Sequence, residues 1–206
     1  MGNIVEIASK RTGTRVQTPA FRAAFATLLN AKPINNSGEP KYSVLALFDK
    51  RADLKDLKAA FQEAAKNKWG KDAKKIVENP NFHNPFLDQG ERVHSVTGEL
   101  YNGMEVGATC ISFKSDEAHR PGVVDCENKA VLTSDEIYSG IIARATVDAF
   151  AWENSGKKGI SFGLQNVQKL DDGPRLGGGK IPANDDFDPL PESFKKTGTD
   201  NDPNWD

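Results

Sequence analysis

Residues 138–152, YSGIIARATVDAFAW, carry a pattern with chemical meaning. Successive side chains of an extended strand point to opposite faces. The odd positions Ile141, Ala143, Ala145, Val147, Ala149 and Ala151 are uniformly apolar and mostly small, as a tight barrel interior requires. The even positions Tyr138, Ile142, Arg144, Thr146, Asp148, Phe150 and Trp152 set aromatics beside an arginine. A plain solvent-facing strand does not favour such a face. Rings on which bases can stack, next to cations that pair with phosphates, are what sequence-independent recognition of a single strand needs. Phe150 and Trp152 also have a plainer account, burial under a helix or under the 71–97 loop, which leaves Tyr138 and Arg144 as the better candidates on this strand.

The following segment, Gly159 to Leu170, puts Ile160, Phe162, Leu164 and Leu170 on one parity and Ser161, Gly163, Gln165 and Lys169 on the other. Gly163 inside a strand suggests a barrel bend or close approach of another backbone. Lys157 and Lys158 fall in an expected hairpin loop over 154–159, available to phosphates or simply solvated.

Catalytic patterns are missing from the sequence. No H-E-x-x-H, G-x-S-x-G or CxxC pair occurs, and no clustered Asp-x-Asp outside the C-terminal stretch. The glycine-rich GPRLGGGK at 173–180 fails as a phosphate-binding loop, with Pro174 at the first glycine position and Ile181 where Ser or Thr must hold magnesium. Cys110 and Cys126 read as buried free thiols, and His83, His94 and His119 are scattered. Neither a metal, a cofactor nor enzymatic activity is expected.

The elements that must hold the candidate face follow from periodicity. Residues 18–29 read as a strand closed by the breaker Asn35-Asn36-Ser37-Gly38, and Lys41 to Phe48 as a largely buried strand. From Asp53 the apolar residues Leu54, Leu57, Phe61, Ala64, Ala65 and Trp69 recur at three and four, and Gly70 stands where a helix ends. Residues 71–97 have neither period and contain Pro80, Pro85 and Gly90, so they read as a long loop with a short helical extension. Residues 107–114 and Val123-Val124 are further strands. Runs of strands around one helix suggest a small β-barrel.

The chain has 206 residues, 37% hydrophobic and 27% charged, enough for one core under a polar surface. The net charge of −2 hides a split: residues 183–206 carry −5 and the remainder +3, a pattern suggestive of a nucleic-acid partner. After Leu170 the composition turns to Gly, Pro and Asp, too poor in aliphatics to bury itself, so it is expected to be disordered or loosely docked, with a domain over 1–180 and an acidic tail over 181–206. No apolar run is long enough for a membrane span or a signal peptide, which points to the cytoplasm.

With these residues in view, the chain resembles a family of bacteriophage single-stranded DNA-binding proteins. The matching segments are Thr18-Pro19-x-Phe21-Arg22, Gly38 to Ser43, Lys68-Trp69-Gly70, Pro121 to Asp125, Tyr138-Ser139-Gly140, Gly159-Ile160, Leu164 to Lys169, and Leu176-Gly177-Gly178 with Asp185-Asp186-Phe187. The resemblance spans nearly the whole body. It implies a mainly β chain, a five-stranded OB-fold barrel with one long amphipathic helix and a disordered acidic C-terminal tail, with ssDNA as ligand during phage replication, recombination or repair. It assigns no individual contacts. Residue type and expected position select Arg22, Lys41, Tyr42, Arg92, Tyr101, Lys114, Arg120, Tyr138, Arg144 and Trp152, each with a bland reading as surface charge or core aromatic. The tail, ending Asp200, Asp202, Trp205 and Asp206, looks like that of replicative single-strand-binding proteins. Its charge and ring imitate ssDNA, so it is expected to compete for the groove and to dock phage or host replication proteins, with Lys195 and Lys196 diluting its charge. Weaker RNA or duplex DNA binding stays open, and so does a protein-binding adaptor or minor virion component. Salt separates the last reading from the first, because phosphate-driven binding weakens as salt rises.

Overall fold

The apolar parity of the long strands closes the molecule on itself. In the computed structural model, which describes residues 7–33, 38–131, 133, 135–177 and 188, five strands form a ring: β3 (Phe21–Pro33), β4 (Pro40–Leu47), β6 (Thr109–Asp116), β9 (Lys157–Asp171) and β8 (Ile142–Asn154), which pairs back onto β3. All neighbours are antiparallel except β6 and β9, which run parallel. This is the Greek-key barrel order of an OB-fold. Short strands β1 (Lys10–Thr12) and β2 (Arg15–Gln17) flank β8, β5 (Leu87–Asp88) pairs with β6, and β7 (Gly122–Val124) runs beside β9.

The odd residues of β8 and its approach, Ile141, Ala143, Ala145, Val147 and Ala149, are buried as parity requires. Across the interior, Phe48, Phe21, Phe113, Phe162, Phe86 and Phe61 make a continuous series of edge-to-face contacts with centroids 5.7–6.0 Å apart. Such pairs contribute about 0.5–1.5 kcal/mol each beyond their burial. Helix α1 (Lys55–Trp69) starts where the Asp53 carboxylate accepts the Lys55 amide at 3.0 Å, and Gly70 ends it. Its buried face is Leu57, Ala60, Phe61, Ala64 and Ala65, packed mainly on β8. Burying Leu57 and Phe61 is worth about 1.5–3 kcal/mol each. A short helix, α2 (Ala73–Val77), follows.

Three expectations are corrected. The β8–β9 hairpin turns through Ser155 and Gly156 alone, so Lys157 and Lys158 are strand residues and Lys158 pairs with Glu153 at 3.1 Å. Leu170 does not share the inward parity of Ile160, Phe162 and Leu164, because β9 carries an extra residue at Gln165 where Val147 pairs Leu164 and Thr146 pairs Asn166. Val167 therefore takes the inward position. Cys110 is buried but Cys126 is exposed in the turn after β7.

The segment after β9, expected to be disordered or loosely docked, is docked through residue 176. The Tyr138 hydroxyl donates to Asp172 at 2.8 Å, and Lys169 pairs with the same carboxylate at 2.8 Å. Arg175 stacks 4.1 Å over the Tyr138 ring, the Arg22 guanidinium donates to the Pro174 carbonyl at 2.6 Å, and the Leu176 amide donates to the Ser139 carbonyl at 2.7 Å. Gly140, at φ +130°, faces this strap with no room for a side chain against the Pro174 carbonyl, which accounts for the glycine of Tyr138-Ser139-Gly140. Residues 178–187 and 189–206, which include all four tail-tip candidates, lie outside the described residues.

Candidate nucleic-acid interface

In an OB barrel the outer face of the second and third ring strands is where oligonucleotides lie; here these are β4 and β6. Their inward residues Val44, Ala46, Ile111 and Phe113 are buried, which by alternation turns Lys41, Ser43, Leu45, Ser112 and Lys114 outward. One rung crosses this face, two small hydroxyl residues and a glycine with a single lysine among them: Thr27 pairs Ser43, Ser43 pairs Lys114, and Lys114 pairs Gly163. The hydroxyls of Thr27 and Ser43 lie 3.0 Å apart. Low side chains make a floor on which an extended chain can lie.

Cations gather on that floor. Lys41 pairs with Asp116 at 3.2 Å, whereas Lys114 has no salt bridge among the described residues. Surrounding protein mass, then the nearby charges of Lys41 and Arg92, hold the Lys114 ammonium below its ordinary value. A lysine that its neighbours disfavour as a cation gains by pairing with an anion. Arg92 Nε is buried with no hydrogen-bond partner among the described residues. Beneath it, burial pushes the Cys110 thiol up, opposed by the neighbouring Arg92 guanidinium.

Aromatic rings stand at both ends of the rung. On β3, Phe25 adopts φ +48° at a bulge and is 53% exposed, with its ring edge-on to Tyr101 at 5.2 Å. Tyr101 in turn lies 3.9 Å from His94. Alternation from Phe21 and Ala23 sends Phe25 inward; the extra residue between Ala24 and Thr27 throws it out. A non-glycine residue in this region stores about 1–3 kcal/mol of strain. At the other end Phe150, 48% exposed, lies beside Gly163. Trp152 donates to the Ser161 hydroxyl at 3.0 Å and lies 5.6 Å from His83. Gly159 is obligatory there, since a Cβ would come within 2.6 Å of both Trp152 and His83. Burial, then Lys114, pushes the His83 imidazole below its ordinary value.

The wall that carries Arg92, His94 and Tyr101 is the 89–108 loop. Buried Gln89 staples it to the barrel: its amide NH2 donates to the Phe48 and Thr109 carbonyls at 2.9 Å each, and its carbonyl accepts the Glu105 amide at 3.0 Å. Under the loop lies an apolar cluster outside the barrel, Ala24, Leu47 and Cys110 with Leu45, Leu87, Met104 and Leu176. Leu176, the end of the C-terminal strap, touches Gly103, two residues from Tyr101.

Of the ten residues selected from sequence, Lys41, Arg92, Tyr101 and Lys114 come together on this face, and Trp152 extends it while half-covered by His83. Tyr42 faces the barrel interior at 8% exposure. Arg22 and Tyr138 hold the C-terminal strap. Arg144 donates to Gln168 at 2.8 Å in a separate hollow with Gln17, Asn128 and Asn166. Arg120 is exposed in the turn between β6 and β7. Phe25, His83 and His94 escaped selection. Positive φ at Phe25 has no signal in sequence, and lone histidines carry none.

The model of the family described as Enterobacter phage Enc34, ssDNA-binding protein, matches residues 14–201. Putative protein p50 of Acyrthosiphon pisum secondary endosymbiont phage 1 is 31% identical over 185 residues, spanning 85% of this chain and 94% of that protein. Among solved structures, the single-stranded DNA-binding protein from bacteriophage Enc34 in complex with ssDNA aligns at a TM-score of 0.62 and 20% identity, covering 86% of this chain and 100% of that one. The single-stranded DNA-binding protein gp2.5 of bacteriophage T7 aligns at 0.54 and 15% identity, covering 84% and 92%. At these identities the structural likeness speaks for the fold.

Proposed function

Since this chain belongs to the Enc34 family of phage ssDNA-binding proteins, a family without enzymatic activity, we propose that it coats ssDNA without sequence preference through the outer face of β4 and β6. The observation that carries this reading is Lys114. It is an ammonium held below its ordinary value between Lys41 and Arg92, on a floor of hydroxyls flanked by the rings of Phe25, Tyr101 and Phe150. Phosphates neutralise the cations and bases stack on the rings, which needs no base-edge readout.

Within phage DNA metabolism in the host cytoplasm, such a protein protects strands exposed by replication, recombination or repair. No helix among the described residues is long and apolar enough to cross a membrane. In this proposal residues 1–180 bind DNA and the acidic segment 181–206 competes for the same face and recruits replication proteins. The support is positional: Leu176 packs at Gly103, so the chain leaves the barrel beside Tyr101, at the rim of the cationic floor.

Fluorescence-polarisation titration of labelled oligo-dT, repeated across salt concentrations with RNA and duplex competitors, tests the reading. Tight binding that falls with salt and prefers ssDNA supports it; binding insensitive to salt, or none, overturns it.

A further inference from the structure

Beyond Trp152 the surface continues into a cleft of about 450 Å³ between α2 and the β8–β9 turn, lined by Asp72, Lys75, Ile76, Asn79, Asn81, Phe82, Gly156 and Lys158. It adjoins the aromatic end of the face through the chain itself. Phe82 precedes His83, and Lys158 precedes Gly159, the residue on which Trp152 and His83 both rest. From Gly163, beside Lys114, to Gly159 is four strand residues, about 13 Å. A strand laid along Phe150 and Trp152 therefore arrives at the cleft mouth.

The lining suits one nucleotide. Phe82 and Ile76 supply an apolar wall, Phe82 being fixed from behind by edge contacts with Phe61 and Trp69 at 6.1 and 5.8 Å. Asn79 spends its carbonyl oxygen on the Asn81 amide at 2.9 Å, which leaves its NH2 free to donate. The Asn81 side chain has no partner among the described residues. Lys75 makes no ion pair among the described residues, while Lys158 is shared with Glu153. Asp72 opposes an anion, but Lys75 and Lys158 line the same cleft, while the acids beside it are engaged, Glu78 with Lys74 and Glu153 with Lys158. The volume falls within the range of small-ligand clefts.

We propose that this cleft holds one further nucleotide of the bound strand, its base against Phe82 and the side-chain amides of Asn79 and Asn81, its phosphate on Lys75 and Lys158. This rests on the ssDNA reading above. It means that the strand leaves the sheet at Trp152 and turns over the β8–β9 hairpin.

The test uses the full chain and an oligo-dT ladder from about 4 to about 16 nucleotides, the range of OB-fold site sizes, and reads the length at which affinity stops rising. The variants are Lys75→Ala with Lys158→Ala, and separately Asn81→Ala, whose exposed side chain supports no other element. Both should match the parent on short oligomers, reach their plateau one or two nucleotides earlier, and bind the longest oligomers about fivefold to tenfold more weakly. An unchanged plateau, or an equal loss at every length, overturns the cleft assignment alone. Failure of the parent chain to bind any member of the ladder is a separate result and overturns the ssDNA reading.

Discussion

Lys114 concentrates the electrostatics of the face. Replacing it with alanine should weaken oligo-dT binding about tenfold and lower the slope of log affinity against log salt by roughly 0.7, the contribution of one phosphate on a single strand. Arg144 serves as the internal control: it sits on the same strand face as Phe150 but about 20 Å along β8, engaged with Gln168. Arg144→Ala should leave affinity within about twofold; a loss equal to that of Lys114→Ala would place the path elsewhere. Because desolvation and two neighbouring cations lower the Lys114 value from 10.5, its charge is lost at lower pH than a free lysine's. Phosphate binding favours the charged form, so affinity should decline on the alkaline side earlier than lysine's ordinary range, and the decline should vanish in Lys114→Arg. Binding isotherms between neutral and alkaline pH check this. Tyr101→Ala should cost about 1–3 kcal/mol of binding, the value of one stacked base.

At the scale of elements, the 89–108 loop is a wall held by one side chain. Gln89→Ala removes two donors from buried carbonyls and one acceptor from the Glu105 amide. Stability should fall by about 2–3 kcal/mol, with a further loss of ssDNA affinity because Arg92, His94 and Tyr101 lose their support. Chemical denaturation together with binding separates the two effects; stability lost with affinity intact would show that the wall is not part of the site. Only its first part was legible, as the end of a 71–97 loop with neither period; Pro80 and Pro85, which helped to mark that loop, lie ahead of residue 89. Gln89 itself was not legible. A glutamine becomes a staple only when β4 and β6 bring the carbonyls of Phe48 and Thr109 to it. Phe25 teaches the same lesson: alternation predicts an inward ring, and one inserted residue reverses it.

The whole molecule pairs a body of charge +3 with a C-terminal segment of −5. If the segment competes with DNA, deleting residues 183–206 should tighten oligo-dT binding by several-fold, most at low salt where screening is weakest; equal or weaker affinity after deletion would remove the competition from the account. The strap at 172–176 sets where that segment begins. Tyr138→Phe, which drops the hydroxyl that Asp172 and Gly173 share, should loosen the exit with only a modest loss of stability.

What the sequence determined by itself is whatever depends on local pattern: the inward parity of residues 141–149, the helix over 55–69 with its buried stripe, the charge split and the family. These rest on period, composition and motif order, which a linear chain already contains. Tertiary structure alone decided which candidates share a face. Lys41, Arg92, Tyr101 and Lys114 are up to 73 positions apart and meet because β4 and β6 pair and the loop folds back over them. Tyr42 turns inward by the pleat, and Tyr138 is drawn to the strap. The bulges at Phe25 and Gln165 arise where ring closure demands more curvature than regular pairing allows, and that demand exists only once five strands have closed.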